Sequence, residues 1–545
     1  MYILARGSAR FSNSRRPGER PFSAKFGGIR QAMVAATILA AALATPIRLH
    51  PANPRYFEFN GRPLALITST EHFGAIVNLD FRYEKYLDAL QAAGFTLTQA
   101  WTGAYVEPDS DAGVYNPLDP KPAAYITPWA RSAEPGNKKG GNKWNLTEYN
   151  ETFFERLVDF VDAAASRGIV VEVGLFGGYE QSHETIWEYC PFHPSNNVNV
   201  AAGTVNRTTV FSLDAPAELR AIQIDTARRI ATALREKDNV YFQLVNGPNY
   251  STPEWGAPIR DVLLEVTSDE ADGGGAAGSE SDGGGAPTPR MLSTSKLSAA
   301  ASAAPPHMIA VPAAWVSRGF TRGVSIANYV TIARPSNASE APLATLALAY
   351  DESGGLPGGP RAYRASFWRW LMAGGGVVDN LDWSFAVGHE AGDLPGAACH
   401  EPDTSGVARR AELAVLSRFF HSLPFVNMSA GLEARWVVST TPPAARKDVQ
   451  GLLVAGALTS TGGTLAAGYL ATGGVERLNM RLDVSSCEHV VAYWVDTVSG
   501  ASIGIARRRA VPSSAAEPSA IVRLLVPEYA EDLAFRLECE NDAVA

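Results

Sequence analysis

Eight short runs rich in β-branched and aromatic residues, separated by amphipathic helical repeats, constrain the fold of this chain more than any other feature. They are "ALITST" (65–70), "LTQAWTGA" (97–104), "IVVEVGLF" (169–176), "VYFQLVNG" (240–247), "HMIAVPAA" (307–314), "VSIANYV" (324–330), "TLALAYDE" (345–352) and "VVDNLDWS" (377–384). Strands that alternate with helices pair in parallel, because the helix carries the chain back to the starting edge of the sheet. Between them, "DFRYEKYLDALQAAG" (80–94), "TFFERLVDFVDAAASRG" (152–168), "AELRAIQIDTARRIATALRE" (217–236) and "RAYRASFWRWLMAG" (361–374) repeat apolar residues at three and four spacing. The first two stop at Gly94 and Gly168. The pattern predicts an α/β fold, a (β/α)8 TIM barrel with long loops, over residues 48–430. The fifth and sixth helices are faintly marked.

Two segments interrupt the repeat. Residues 268–306 are rich in Gly, Ala and Ser and almost free of large apolar side chains, so they are expected to be a disordered insertion. Residues 108–142, rich in Pro, Gly and Asn but carrying Tyr115, Tyr125 and Trp129, read as a long loop at the C-terminal face. From 431 to 545 no helical repeat remains. "LEARWVVST", "GLLVAGAL", "TLAAGYLA", "HVVAYWVDT" and "AIVRLLVP" alternate between Gly, Pro and Ser breaks, the pattern of a small C-terminal β-sandwich.

Residues 1–47 read as a leader. Arg6, Arg10, Arg15, Arg16, Arg20, Lys25 and Arg30 precede the apolar run "AMVAATILAAALA" (32–44), and Ala42-Leu43-Ala44 offers the small residues of a signal-peptide cleavage site. The run is shorter than the roughly 20 residues of a spanning helix. The expected location is secreted or cell surface, with membrane attachment only if the leader stays uncleaved. Sequons at Asn145, Asn150, Asn206, Asn249, Asn337 and Asn427 are compatible with export. Of the four cysteines, Cys487 and Cys539 share the C-terminal segment and can pair in an oxidising compartment, or stay buried thiols.

The net charge of −9 leaves no basic footprint for nucleic acid or an anionic membrane, so the ligand implied is uncharged or small. Neither the cysteines nor His183, His193, His389 and His400 have metal-ligand spacing, and "GGGAAGSESDGGG" lacks the strand, helix and Lys of a phosphate loop. No metal and no cofactor are expected. In a barrel, residues that meet a substrate project from the C-terminal strand ends. Those positions hold Glu71 and His72, Trp101 and Thr102, Tyr179 and Glu180, Asn246, Tyr329, Asp351 and Glu352, and Asp382, Trp383, His389 and Glu390. Trp129, Trp144, Trp187, Trp255 and Trp383 have faces suited to stacking on sugars, although packing in the core explains each of them as well.

Four of these strand ends carry a resemblance. "TSTEHFGA" (68–75), "VNGPNY" (245–250), "AYDESGG" (349–355) and "DNLDWSFAVGHE" (379–390) resemble, in order, motifs of the retaining glycoside hydrolases built on a (β/α)8 barrel, nearest their cellulase-like, little-characterised members. That family's two catalytic glutamates lie on strands four and seven, as nucleophile and as acid/base, about 5 Å apart. The resemblance implies Glu352 as nucleophile, Asn246 as ligand of the sugar 2-hydroxyl, Tyr329 holding the nucleophile, and a carbohydrate as partner. It further implies Glu71, His72, Trp101, Asp382, Trp383 and His389 as substrate contacts.

One position departs from the family. Gly247 stands where the acid/base glutamate belongs, and glycine has no proton to give. Loss of a placed acid costs about two to four orders of magnitude. Three readings remain: another group takes over, with Glu180 the leading candidate beside Glu184, His183, Glu254 and Glu107; the barrel only binds sugar; or Gly247 is a sequence error. A structural secreted protein without a ligand is a further class.

Overall fold

The computed structural model describes residues 45–108, 115–181, 183–246, 250–268, 307–312, 322, 326–329, 346–350, 359–430, 439–441, 454–460, 464–471, 479–483, 487–510, 512–514 and 517–541. Eight strands form one sheet: first Leu66–Thr70, second Leu97–Trp101, third Val170–Phe176, fourth Val240–Val245, fifth Ile309–Pro312, sixth Ile326–Tyr329, seventh Ala347–Tyr350 and eighth Val377–Leu381. Every neighbouring pair is parallel, and the order runs first, eighth, seventh, sixth, fifth, fourth, third, second. Between the two ends of that order sits Thr96. Its amide donates to Ile67 O at 3.1 Å and its hydroxyl to Ala65 O at 2.9 Å, while the Ile67 amide donates back to its Oγ1 at 3.0 Å.

Both faces of this sheet are covered, as near-continuous apolar strands require. One set of side chains, Leu66, Leu97, Val170, Tyr241, Ala310, Ala347 and Val377, packs with Ile47 and with Phe57 and Phe59 of strand Asn53–Phe59. The other set, including Ile67, Val171, Val173, Phe242, Leu348 and Val378, joins the helices in the main core. Helix Tyr83–Ala93 buries Tyr83, Tyr86, Leu87 and Leu90 and ends at Gly94, whose φ of 73° is left-handed and lets its amide reach Leu90 O and Gln91 O. Helix Glu151–Ala165 buries Phe153, Phe154, Leu157, Phe160, Val161 and Ala164. At Pro253–Thr267 the Thr252 hydroxyl caps the first turn by accepting from the Trp255 amide.

Two hairpins add to the sequence reading. Arg48–His50, Asn53–Phe59 and Arg62–Leu64 form an antiparallel sheet whose turn at Asn60-Gly61 has φ of 50° and 69°, the primed turn that Asn-Gly favours. The segment read as one long loop to Asn142 instead contains strand Trp129–Pro135, paired antiparallel with Asn142–Tyr149. The tryptophans Trp129 and Trp144 anchor it in the core, which a solvent-exposed loop could not do.

After helix Val407–His421 and the short 3-10 turn Phe425–Asn427, the regular elements among the described residues are strands. Six (428–430, 454–460, 465–470, 533–540, 489–496 and 502–509, in sheet order) form one antiparallel sheet, and four (439–441, 479–483, 517–525 and 512–514) form another. Met480, Leu482, Val522 and Leu524 of the second share a core with Leu470, Val490, Ala492, Trp494, Phe535 and Leu537 of the first. Cys487 and Cys539 are disulfide-bonded, with Cα atoms 5.2 Å apart, which settles the choice left open by the sequence. Buried Arg364 ties this region to helix Gly359–Met372, donating to Asp532 Oδ2 at 2.7 Å, Glu531 at 2.6 Å and Glu412 at 3.0 Å. Beside it, Trp368 stacks on Tyr469 at 5.5 Å. Among the described residues no helix is long and apolar enough to cross a membrane.

Candidate functional site

At the end of the first strand the chain turns sharply. Phe73 adopts φ of 56°, and a Cβ on Gly74 would fall 2.3 Å from Leu118 Cβ, so only glycine fits there. The buried Glu71 carboxylate turns back onto this loop and accepts from the Gly74 amide at 2.6 Å. Burial pushes its carboxyl up to about 7, against the opposing pull of the Gly74 and Ala75 amides.

His72 points the other way. Its Nε2 meets one oxygen of Glu107, and the Tyr105 hydroxyl donates to the other. Glu107 thus meets a partner at each of its carboxyl oxygens. The His72 ring stands edge-on to Phe73 at 4.7 Å and to Trp383 at 4.8 Å. Half-buried Trp383 donates its indole N–H to Tyr115 O at 3.2 Å. Trp101 completes the apolar wall with Phe73, Tyr105, Ile186 and Leu381, its N–H donating to Gln99 Oε1 at 3.2 Å. The structure therefore brings His72, Trp101 and Trp383 together at the ends of strands one, two and eight.

Across from this wall the loop after strand three makes a tight turn, Tyr179–Gln181. Glu180 is fully enclosed, and its carboxyl oxygens bond to no other side chain. Burial pushes that carboxyl up to about 8, and the nearby charge of Glu107 adds to the rise. At neutral pH it holds its proton. Gly177 makes the approach possible, since a Cβ there would lie 2.7 Å from Tyr105 and 2.8 Å from Glu180 Oε2. Next to it, Gln181 Oε1 accepts from the Tyr250 amide at 3.2 Å, joining this loop to the one after strand four. Asn246, half-buried at the end of that strand, donates its backbone N–H to Phe176 O at 3.1 Å.

Other expected contacts lie elsewhere. Asp382 is wholly buried and occupied: it accepts from Arg410 at 2.6 Å, from the Ser384 hydroxyl and amide at 2.6 and 2.9 Å, from the Gly406 amide at 3.1 Å and from Ser69 at 3.1 Å. That set makes it a structural hub below the loop of strand eight. Half-exposed His389 pairs with Asp393 at 3.1 Å. Tyr329 is the last residue of strand six, in register with Tyr350. Glu352, Asp351, Gly247 and Asn249 fall outside the described residues, as do the leader through Ala44 and 269–306 of the insertion.

Several alternatives separate clearly. Glu184 is exposed and paired with Arg207 at 3.0 Å, His183 is exposed against the Tyr179 ring, and Glu254 is exposed in the first turn of its helix. Trp129, Trp144, Trp187 and Trp255 are buried in the core, which leaves them no free face for a sugar. Glu172, which the sequence left as either a lumen or an edge residue, is buried and accepts from the Tyr241 hydroxyl at 2.6 Å. Tyr105 was not foreseen, and its one signal is the acid two residues later in "AYVEP". Among the described residues no three His, Cys, Asp or Glu side chains are grouped to hold a metal ion.

No family model matches the chain, and no curated protein does. Solved structures do. A glycoside hydrolase candidate from Bacteroides vulgatus superposes with a TM-score of 0.59 at 12% identity, covering 91% of this chain and 83% of that one. A glycoside hydrolase family 5 protein from the same organism superposes with a TM-score of 0.54 at 10% identity, covering 91% and 93%. The chain thus has a glycoside-hydrolase-like fold.

Proposed function

We propose that this protein takes a carbohydrate at the C-terminal ends of its parallel strands and hydrolyses an O-glycosidic bond with retention, Glu180 replacing the acid missing at Gly247. The eight-stranded sheet is read as a closed (β/α)8 barrel over 48–430 and the antiparallel sheets as a β-sandwich from 431 onward. The observation that carries the reading is Glu180: a buried carboxyl, held up to about 8, beside the loop that follows strand four. A general acid must be protonated at the working pH, and a carboxyl pushed up to about 8 by burial is consistent with that role. The glycoside hydrolases that share the fold support a carbohydrate as the ligand.

The chemistry follows the two-carboxyl scheme. Glu352 forms a bond to the anomeric carbon as the glycosidic C–O bond breaks, and the departing oxygen takes the Glu180 proton. Water then attacks the same carbon, gives its proton to the Glu180 carboxylate and releases Glu352. Asn246 holds the sugar 2-hydroxyl, Tyr329 steadies Glu352, and Trp383 offers a stacking face. Secretion or display at the cell surface, with the leader cleaved near Ala44, belongs to the same reading. The disulfide Cys487–Cys539 supports it, because such bonds persist in oxidising compartments.

A second reading, sugar binding without turnover, draws on the complete enclosure of Glu180, which hides the proton from a substrate in this conformation. An aryl glycoside with a good leaving group separates the two, since it needs little help from an acid. Turnover that disappears in Glu352→Gln supports hydrolysis. Absence of turnover, with sugar binding that survives Glu352→Gln, overturns it in favour of binding alone.

A further inference from the structure

We propose that Tyr115 and His400 form a second sugar-stacking platform beside Trp383, so that the ligand is an oligosaccharide of two or more units. This rests on the carbohydrate reading of the strand ends and adds to it the length of chain that they take.

The platform joins two loops by direct contacts. Tyr115 belongs to the loop after strand two and His400 to the loop after strand eight. Their rings lie 5.3 Å apart and 31° from parallel, within the spacing of an offset aromatic pair. The indole N–H of Trp383 donates to Tyr115 O at 3.2 Å, and the Trp383 and His400 rings are 6.3 Å apart. From the other side the Tyr115 hydroxyl donates to Ala398 O at 3.1 Å. Trp383 is fixed in its turn: its backbone N–H donates to the Ser405 hydroxyl at 3.0 Å, and its ring meets His72 edge-on at 4.8 Å.

His72, Trp383, His400 and Tyr115 thus make one aromatic row that opens from the buried wall toward solvent. His72 is 3% exposed, Trp383 and Tyr115 are half-buried, and the His400 side chain is 49% exposed. Rings that only fill a core, such as Trp129 and Trp144, are closed on all sides. The polar tips of the row are already spent, because the Trp383 N–H and the Tyr115 hydroxyl both donate to backbone carbonyls. Ring surface is what they leave for a ligand, and ring surface suits the apolar C–H face of a sugar. At the open end His400 Nε2 lies 3.8 Å from Glu401 Oε1, which adds polar groups for the hydroxyls at the sugar's rim. Two hydrogen bonds between the loops set the rings in place before a ligand arrives, so little ordering is left for binding to offset. A sugar held at Trp383 and continued outward by one unit meets His400 and Tyr115.

The test is calorimetric titration of the full-length protein with β-1,4-linked gluco-, xylo- and manno-oligosaccharides of one to four units. The quantity read is the ratio of Kd for the monosaccharide to Kd for the longer members of its series. In the wild type that ratio should reach about tenfold, the scale of one added aromatic contact. In His400→Ala and in Tyr115→Ala it should fall to about twofold or less. Tyr115→Phe, which keeps the ring and loses only the bond to Ala398, should restore most of the ratio. Rings that merely fastened the two loops would move both constants together and leave the ratio where it was. Half-exposed His400 keeps the test decisive if Tyr115→Ala does not fold. A wild-type ratio near one, or a ratio that survives in His400→Ala and in every folded Tyr115 variant, overturns the platform and leaves the carbohydrate reading standing. Wild-type protein that binds none of the three series overturns that reading, and the platform with it.

Discussion

At the scale of single residues, two buried acids at the strand ends do opposite work. Asp382 is surrounded by donors, with Arg410 at 2.6 Å, and is expected to hold the loop of strand eight, not a sugar. Asp382→Asn leaves the Arg410 charge buried without its counterion and should cost roughly 3–5 kcal/mol in urea unfolding. A loss below about 1 kcal/mol would show that the hub is dispensable. Glu180 has no such donors, and its carboxyl rises from the ordinary 4.5 to about 8. Between those values the native protein binds a proton that the unfolded chain releases. This contribution is therefore complete below pH 4.5 and disappears as pH climbs through about 8. Relative to Glu180→Gln, the wild type should lose at most about 1.4 kcal/mol of unfolding free energy per pH unit across that window. Calorimetry of both proteins at several pH values checks this, and parallel curves would contradict the raised carboxyl.

At the scale of elements, the strands were legible because each is an apolar run with a polar or glycine boundary, and the helices because their apolar residues recur at three and four spacing. Each of the eight observed strands lies within the run expected for it, from Leu66–Thr70 to Val377–Leu381. The hairpin from Arg48 was equally marked by Asn60-Gly61, but its strands are too short for periodicity to stand out. Tryptophans were the ambiguous signal, because a ring that stacks on sugar and a ring that fills a core look alike in sequence. The structure divides them by burial. Trp144→Ala, which empties a site beneath the Arg131 guanidinium, should cost about 3–5 kcal/mol and leave sugar affinity per folded molecule unchanged. Trp383→Ala should weaken sugar binding tenfold or more, roughly 1.4 kcal/mol, as judged by calorimetric titration. The reverse pattern would move the ligand away from strand eight. The Tyr105–Glu107–His72 chain was beyond sequence reasoning, since it joins the loops after strands one and two, which only the fold brings together.

For the whole molecule, the region after His421 is joined to the parallel-sheet region by Arg364 and by the Trp368–Tyr469 stack, so the two should unfold together. Arg364→Leu strands Asp532, whose side chain is fully buried, and should destabilise the protein by roughly 3–5 kcal/mol. A second, separate unfolding transition in the wild type would argue against that coupling. Leaving-group dependence decides whether a buried carboxyl on the third loop supplies the proton missing at Gly247. We expect kcat/KM of wild type and Glu180→Gln to agree within about tenfold on a dinitrophenyl glycoside and to part by about two to four orders of magnitude on an alkyl glycoside. Equal rates for the two proteins on the alkyl glycoside would contradict it.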